Sequence, residues 1–276
     1  MNRDLQNPLR LQTLSAAARS RMLSLPREPL FIADWLNVVM IHLEVNDEAL
    51  QAATPFQLDL RNGRAFVSLV AFTLRGMHPR FGGKLGQLLF RPLATHHFLN
   101  LRTYVRHGDE TGIHFLAEWL NCWPAVQLGP LVFGLPYRFV RMNYANEVDK
   151  GEVHGEIRSA DGQAAIRYNG RITDQSFRPC APGSVDEWLM ERYTAFNCMG
   201  ARRRFFRVWH EPWPQVPVKV ELTDRSLLTS SWPFIADANV VGANYSPGVH
   251  DVWMGWPHGI HTEVLGAPST VPARTC

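Results

Sequence analysis

Residues 56–74, FQLDLRNGRAFVSLVAFTL, carry the strongest structural signal in the chain. Phe56, Leu58 and Leu60 alternate with polar residues as far as Asn62-Gly63, and Ala65, Val67, Leu69 and Ala71 resume the same spacing beyond it. Side chains two apart share one face of a strand, so each half reads as a strand. Asn-Gly adopts the positive φ values of a type I′ turn at little cost, and the segment predicts a β-hairpin.

A second hairpin is predicted for residues 98–105 and 113–120 around Gly108-Asp109-Glu110-Thr111-Gly112. Residues 35–45, 138–144, 152–158, 164–173, 203–209, 216–222 and 249–254 read as further strands. Leu11, Leu14, Ala18, Met22 and Leu25 fall on one side of a helix over 9–25 that Pro26 stops. Asn46-Asp47 opens a short helix through Leu50, and Ser184 with Glu187 forms a capping box ahead of a helix predicted over 185–199. Many short strands with few helices predict a mainly β, α+β fold. Its antiparallel sheet closes or curves strongly, which removes exposed strand edges, and its helices lie at the periphery. With no linker or repeat, residues 1–276 read as one domain: a helix at 9–25 packed on a barrel of about 30–255, then an irregular tail at 256–276.

The chain has 276 residues, 46% hydrophobic and 19% charged, which excludes disordered, collagen-like and coiled-coil classes. Its formal charge is only +3 and no long basic run occurs, so nucleic acid is not the expected partner. The N-terminus lacks a secretory h-region and no run is apolar enough to span a membrane, which gives a cytoplasmic protein with no membrane partner as the expectation. Cys122, Cys180, Cys198 and Cys276 form no C-x-x-C pair and read as free thiols.

The second hairpin concentrates polar groups. On its first strand Asn100, Arg102 and Tyr104 share a face; on its second, His114 and Glu118 do. A turn centred on Asp109 would set Tyr104 opposite His114, Arg102 opposite Leu116 and Asn100 opposite Glu118. Such a patch offers a guanidinium for a carboxylate, an acid and an imidazole for proton transfer, and a phenol and an amide for orientation. Alternation alone leaves open whether this face lines a cavity or meets water. Phe133-Gly134-Leu135-Pro136-Tyr137-Arg138 reads by itself as a Gly-Pro turn ending a helix.

Other clusters read as structural. His96 and His97 are adjacent and point to opposite faces, and the spacing of His258 and His261 fixes no geometry, so no metal is expected. Arg202, Arg203, Arg204 and Arg207, interleaved with Phe205 and Phe206, read as a solvated or ion-paired strand end. No G-x-S-x-G elbow, Walker loop, dinucleotide fingerprint or H-E-x-x-H motif occurs.

NLRTYV at 100–105, GIHFLAEW at 112–119, GLPY at 134–137, WLMERYTAF at 188–196 and HEPW at 210–213, in this order and separation, resemble the YqjF-like family (domain of unknown function 2071). The likeness covers roughly residues 27–252. That family is grouped with the acetoacetate decarboxylase-like superfamily, which implies a cone-like, many-stranded β-barrel with helices outside and a small-molecule cavity inside. In the decarboxylase a Gly-x-Pro-Lys-Lys segment supplies a Schiff-base lysine whose neighbour lowers its pKa. The matching stretch here sets Tyr137 in place of that lysine and Arg138 in place of its neighbour, while Lys84, Lys150 and Lys219 lie outside it. A glutamate on a barrel strand of the decarboxylase has its approximate counterpart at Asn100. The resemblance therefore implies the cavity without Schiff-base chemistry.

If the barrel closes in this way, the polar face of the second hairpin can point inward. The expectation is a barrel binding a small carboxylate or carbonyl compound without a cofactor. Arg102 and Arg138 hold the carboxylate or enolate, Tyr104 and Tyr137 donate hydrogen bonds, Asn100 orients, and Glu118 with His114 manages a proton. The alternative is a lysine-independent lyase working through an enolate, and a weaker one is a metal site at His258 and His261. Decarboxylase relatives assemble into oligomers, which leaves a homo-oligomer open.

Overall fold

The computed structural model of the chain describes residues 7–260. Its first half runs α1 (Asn7–Leu23), β1 (Phe31–Val45), α2 (Asp47–Ala52), β2 (Gln57–Leu58), β3 (Ala65–Pro79), α3 (Gly83–Phe90), β4 (His96–His107), β5 (Glu110–Leu120) and α4 (Trp123–Phe133). Its second half runs β6 (Tyr137–Glu147), β7 (Glu152–Ser159), β8 (Ala165–Ile172), α5 (Val185–Met190), β9 (Thr194–Met199), β10 (Arg202–Trp209), β11 (Val216–Asp224), α6 (Ser226–Thr229), β12 (Asn239–Met254) and β13 (His258–Gly259).

The sheet closes twice. In the order β5-β6-β7-β8-β11-β12-β1-β3-β4 each strand pairs with the next, and β4 pairs back on β5, which makes a nine-stranded barrel. β5 also pairs with β9, β9 with β10 and β10 with β12, so the wall β12-β1-β3-β4-β5 serves a second, seven-stranded ring. The fork lies along one edge of β5: Glu118–Leu120 runs beside Tyr137–Phe139 of β6, and Ile113-His114 beside Ala195-Phe196 of β9. Both of these pairings are parallel, so the sheet is mixed rather than antiparallel throughout.

Alternate residues of the shared wall face different interiors. Val39, Ile41 and Leu43 pack into the nine-stranded barrel with Trp119, Ile157 and Ile166. Val38 and Met40 pack into the seven-stranded ring with Phe72, Leu120 and Phe206. Strands buried on both faces read as near-continuous apolar runs, which is why 38–43 and 65–72 show so little polar alternation.

Several sequence expectations change. Asn62 and Gly63 have φ values of 53° and 74°, and Arg61 and Arg64 exchange both backbone hydrogen bonds, so the tight turn forms. The ladder beyond it does not: β1 and β4 already occupy the two edges of β3, and β2 pairs with β4 instead. The helix over 185–199 stops at Met190, although Ser184 caps it as expected by accepting from the Glu187 amide at 3.0 Å. Residues 194–199 instead form β9, the strand that carries β5 to β10 and closes the second ring. On α1 the buried side is Ser15, Ala18 and Met22, while Leu14 is exposed, and Ser15 donates to the His210 carbonyl at 2.8 Å. The Leu11 side chain lies outside the described residues, as does the tail from His261 onward. Within the expected irregular tail, β13 adds to β10. Cys122 and Cys180 are free thiols, whereas Cys198 is not, and Cys276 lies outside the described residues.

Candidate functional site

A cavity of about 340 Å³ lies in the seven-stranded ring, between the shared wall and the helices α3 and α4. Phe31, Phe72, Phe98, Phe115, Phe133 and Phe206 supply much of its apolar surface. Its polar groups gather on β4, β5 and the start of β6. Asn100 and Glu118 face each other across the β4–β5 ladder, as the alternation predicts, and Tyr137 lies beside Glu118 in the parallel β5–β6 pair. All three line the cavity.

All three are desolvated, and two of them carry an atom that no partner satisfies. Asn100 Oδ1 and Glu118 Oε2 are buried and have no hydrogen-bond partner. Burial alone raises the Glu118 pKa well above that of an ordinary glutamate, which favours the neutral carboxylic acid, a hydrogen-bond donor. Burial also pushes the Tyr137 phenol well above its usual value, and the neighbouring Glu118 adds to the effect. The loop before Tyr137 is set by the C-terminus of α4, where Gly134 takes the left-handed conformation at φ 69°. The Tyr137 ring then meets Phe98 edge-on at 5.7 Å and lies so close to Gly129 that a Cβ there would overlap it.

Two further cavity groups escape the sequence reading. His96 Nδ1 donates to the Leu93 carbonyl at 3.1 Å, and burial lowers its pKa to about 4, so the ring is neutral and Nε2 is an unpartnered acceptor. Trp35 Nε1 is a buried donor without a partner. Both line the cavity. His96 sits two residues before Phe98 and four before Asn100, so extending the two-residue period backwards from Asn100 identifies it.

The other expected site residues lie elsewhere. Arg102 and Tyr104 share the Asn100 face of β4 but turn to a polar network at the other end of the ring. Arg102 and the Tyr104 hydroxyl both donate to the Leu189 carbonyl, at 3.0 and 3.1 Å. Ser68 joins Tyr104 at 2.6 Å to His42 at 2.7 Å, and the second nitrogen of His42 meets Asn244 at 3.1 Å. Burial, with the Arg102 charge adding to it, lowers the His42 pKa to about 3.

His114 is on the opposite face from its expected place. A β-bulge at Leu116 makes Leu101 oppose Ala117 but Arg102 oppose Phe115, so Tyr104 meets Ile113, and His114 turns the other way to donate to the Phe196 carbonyl at 2.9 Å. Arg138 follows Tyr137 on β6 and therefore points away from the cavity, to the side of its partner Trp119, where it is exposed and its guanidinium lies 5.9 Å from the Trp232 ring. Among the described residues no cluster of His, Cys, Asp and Glu could hold a metal; His258 instead bonds Glu28 at 2.8 Å. None of Lys84, Lys150 and Lys219 lines the cavity.

Comparison with solved structures relates this double closure to known proteins. Acetoacetate decarboxylase from Legionella pneumophila superposes with a TM-score of 0.60 at 13% identity, over 88% of this chain and 95% of that one. An acetoacetate decarboxylase-like enzyme from Sphingomonas wittichii gives 0.61 at 14% identity, over 84% and 94%. The enduracididine biosynthesis enzyme MppR, complexed with pyruvate, gives 0.59 at 12%, over 85% and 91%. At these identities the likeness is one of fold. In sequence, the protein YqjF of Bacillus subtilis is 29% identical over 182 residues, 65% of this chain and 72% of that protein. The model of the DUF2071 family, described as an uncharacterized conserved protein, matches residues 32–250 and so takes in both rings and the cavity between helices and wall. The chain belongs to the DUF2071 family, built on the acetoacetate decarboxylase-like fold.

Proposed function

We propose that this protein binds a neutral, largely apolar small molecule carrying one carbonyl or hydroxyl oxygen. The Glu118 carboxylic acid and the Tyr137 hydroxyl donate to that oxygen, while the Asn100 amide and His96 Nε2 offer acceptors to any hydrogen on it. One observation carries the reading: four buried polar atoms of the cavity lining, Trp35 Nε1, His96 Nε2, Asn100 Oδ1 and Glu118 Oε2, have no partner in the fold. A buried polar group left unsatisfied costs about 1–3 kcal/mol, and a ligand that completes the bond recovers it. Of the two ligand classes expected from sequence, the carbonyl class fits. Arg102 and Arg138, which were to balance a carboxylate, are directed elsewhere, and a neutral Glu118 offers no cation.

The test is calorimetric titration with an aliphatic methyl ketone and with the carboxylate of the same chain length. The ketone is expected to bind more tightly, and Glu118→Leu to weaken it roughly tenfold, as loss of one charge-free hydrogen bond to a desolvated partner implies. Tighter binding of the carboxylate would refute the reading. The pairing of two proton donors, Glu118 and Tyr137, also favours a second reading, a lysine-independent lyase of the hydratase kind: water adds to the β-carbon of an enone, the C=C pair moves onto the oxygen as an enolate held by Tyr137, and Glu118 gives its proton to the α-carbon and regains one from the added water. Hydration of an enone in heavy water, with deuterium placed at the α-carbon of the product and the turnover abolished in Glu118→Gln, checks it.

A further inference from the structure

The outer face of α3 and the cavity-mouth face of α4 both expose apolar side chains. Leu85, Leu88 and Leu89 of α3 are 67%, 57% and 70% exposed, and α3 has no buried residue at all. On α4, Leu128, Leu131 and Val132 repeat the same i, i+3, i+4 spacing; they line the cavity and are still 51%, 72% and 37% exposed, which places them at its open side. Such a triplet normally faces the core; that of α3 faces outward, and that of α4 rims the open side of the cavity that Phe90 at the end of α3 also lines. Phe81 ahead of α3 and Trp123 at the start of α4 extend the patch with exposed rings.

Its charge has one sign. Arg80, Lys84 and Arg91 are exposed around α3, and Arg204 reaches the α4 C-terminus by donating to the Val132 carbonyl at 3.2 Å. No Asp or Glu occurs in residues 60–108 or 119–146. Of the acidic residues on the strands these helices pack against, Glu118 is inside the cavity, while Glu110 and Glu147 sit at far strand ends paired with Arg207 and Lys150. An outward aliphatic face with interfacial aromatic rings and a basic rim matches a lipid surface bearing negative charge.

We infer that this collar docks on an anionic lipid surface, with the cavity mouth between α3 and α4 turned toward the lipid. A second copy of the chain is the weaker occupant, because a two-fold contact would bring Arg80, Lys84 and Arg91 against their own like charges. Among the described residues no helix is long and apolar enough to cross a membrane, so the association is peripheral. The inference goes beyond the proposed ligand and stands without it.

Co-sedimentation of the full chain with vesicles tests it. Binding is expected to vesicles of mixed phosphatidylcholine and phosphatidylglycerol and not to phosphatidylcholine alone, weakening as salt rises. The pair Leu85→Glu and Leu131→Glu, and separately Lys84→Glu and Arg91→Glu, should each lower the bound fraction roughly tenfold, with thermal melting unchanged because all four positions are on the surface. Failure of the wild type to sediment with anionic vesicles, or equal binding to both compositions, would overturn the inference. So would a dimer in analytical ultracentrifugation that Leu85→Glu with Leu131→Glu converts to monomer.

Discussion

The two ends of the seven-stranded ring are built from one face of one strand, yet they treat polar groups in opposite ways. Toward the start of β4, His96 and Asn100 border a cavity with atoms that bond to nothing in the protein. Two and four residues further along, Arg102 and Tyr104 are just as buried but are tied to Leu189, Ser68 and, through Ser68, His42. Arg192 lies over the Tyr104 ring and pairs with Asp59 at 2.9 Å. Burial is therefore the same at both ends, and partnership differs in degree, since Arg102 Nε and Arg192 Nη2 also lack partners; what separates the ends is the empty space beside His96 and Asn100. A buried polar group matched within the fold holds the fold, and one left unmatched beside empty space is available to a guest.

If that contrast is right, truncations at the two ends must differ in sign. Asp59→Ala leaves the Arg192 guanidinium buried and unpaired, and should cost about 3–5 kcal/mol in urea unfolding. Ser68→Ala removes the hydroxyl shared by His42 and Tyr104, with an expected loss of about 2 kcal/mol by the same measurement. At the cavity end Glu118→Leu should instead stabilise the protein, by about 1–3 kcal/mol at neutral pH. The sign follows from linkage. Because the folded pKa of Glu118 is raised, the wild type is most stable below the ordinary glutamate value of 4.5 and loses stability as pH rises toward the folded value. The gain from Glu118→Leu should therefore grow with pH above 4.5, and a flat difference between the two proteins would contradict the placement of this group.

Much of the cavity end was legible in the sequence. The Asn100–Glu118 pair follows from alternation and a turn near Asp109, and Tyr137 follows from the GLPY resemblance. The register of the other half was not legible, because a bulge is one added residue with no composition of its own; Leu116 looks like any strand leucine, yet it turns His114 to the far side. Arg138 was legible and misassigned: neighbours on a strand face opposite ways, so Tyr137 and Arg138 could not both look inward. β9 was hidden because Trp188, Tyr193 and Phe196 recur at helical spacing by coincidence, and the seven-stranded ring was hidden with it.

The wall common to both rings has a consequence for how the molecule can come apart. The buried residues of β1, β3 and β4 divide between the two interiors, so removing the strands of either ring would leave open to water the apolar face that the shared wall turned toward it. No fragment containing a single ring escapes that uncovered face, and the two must assemble and open as one cooperative unit.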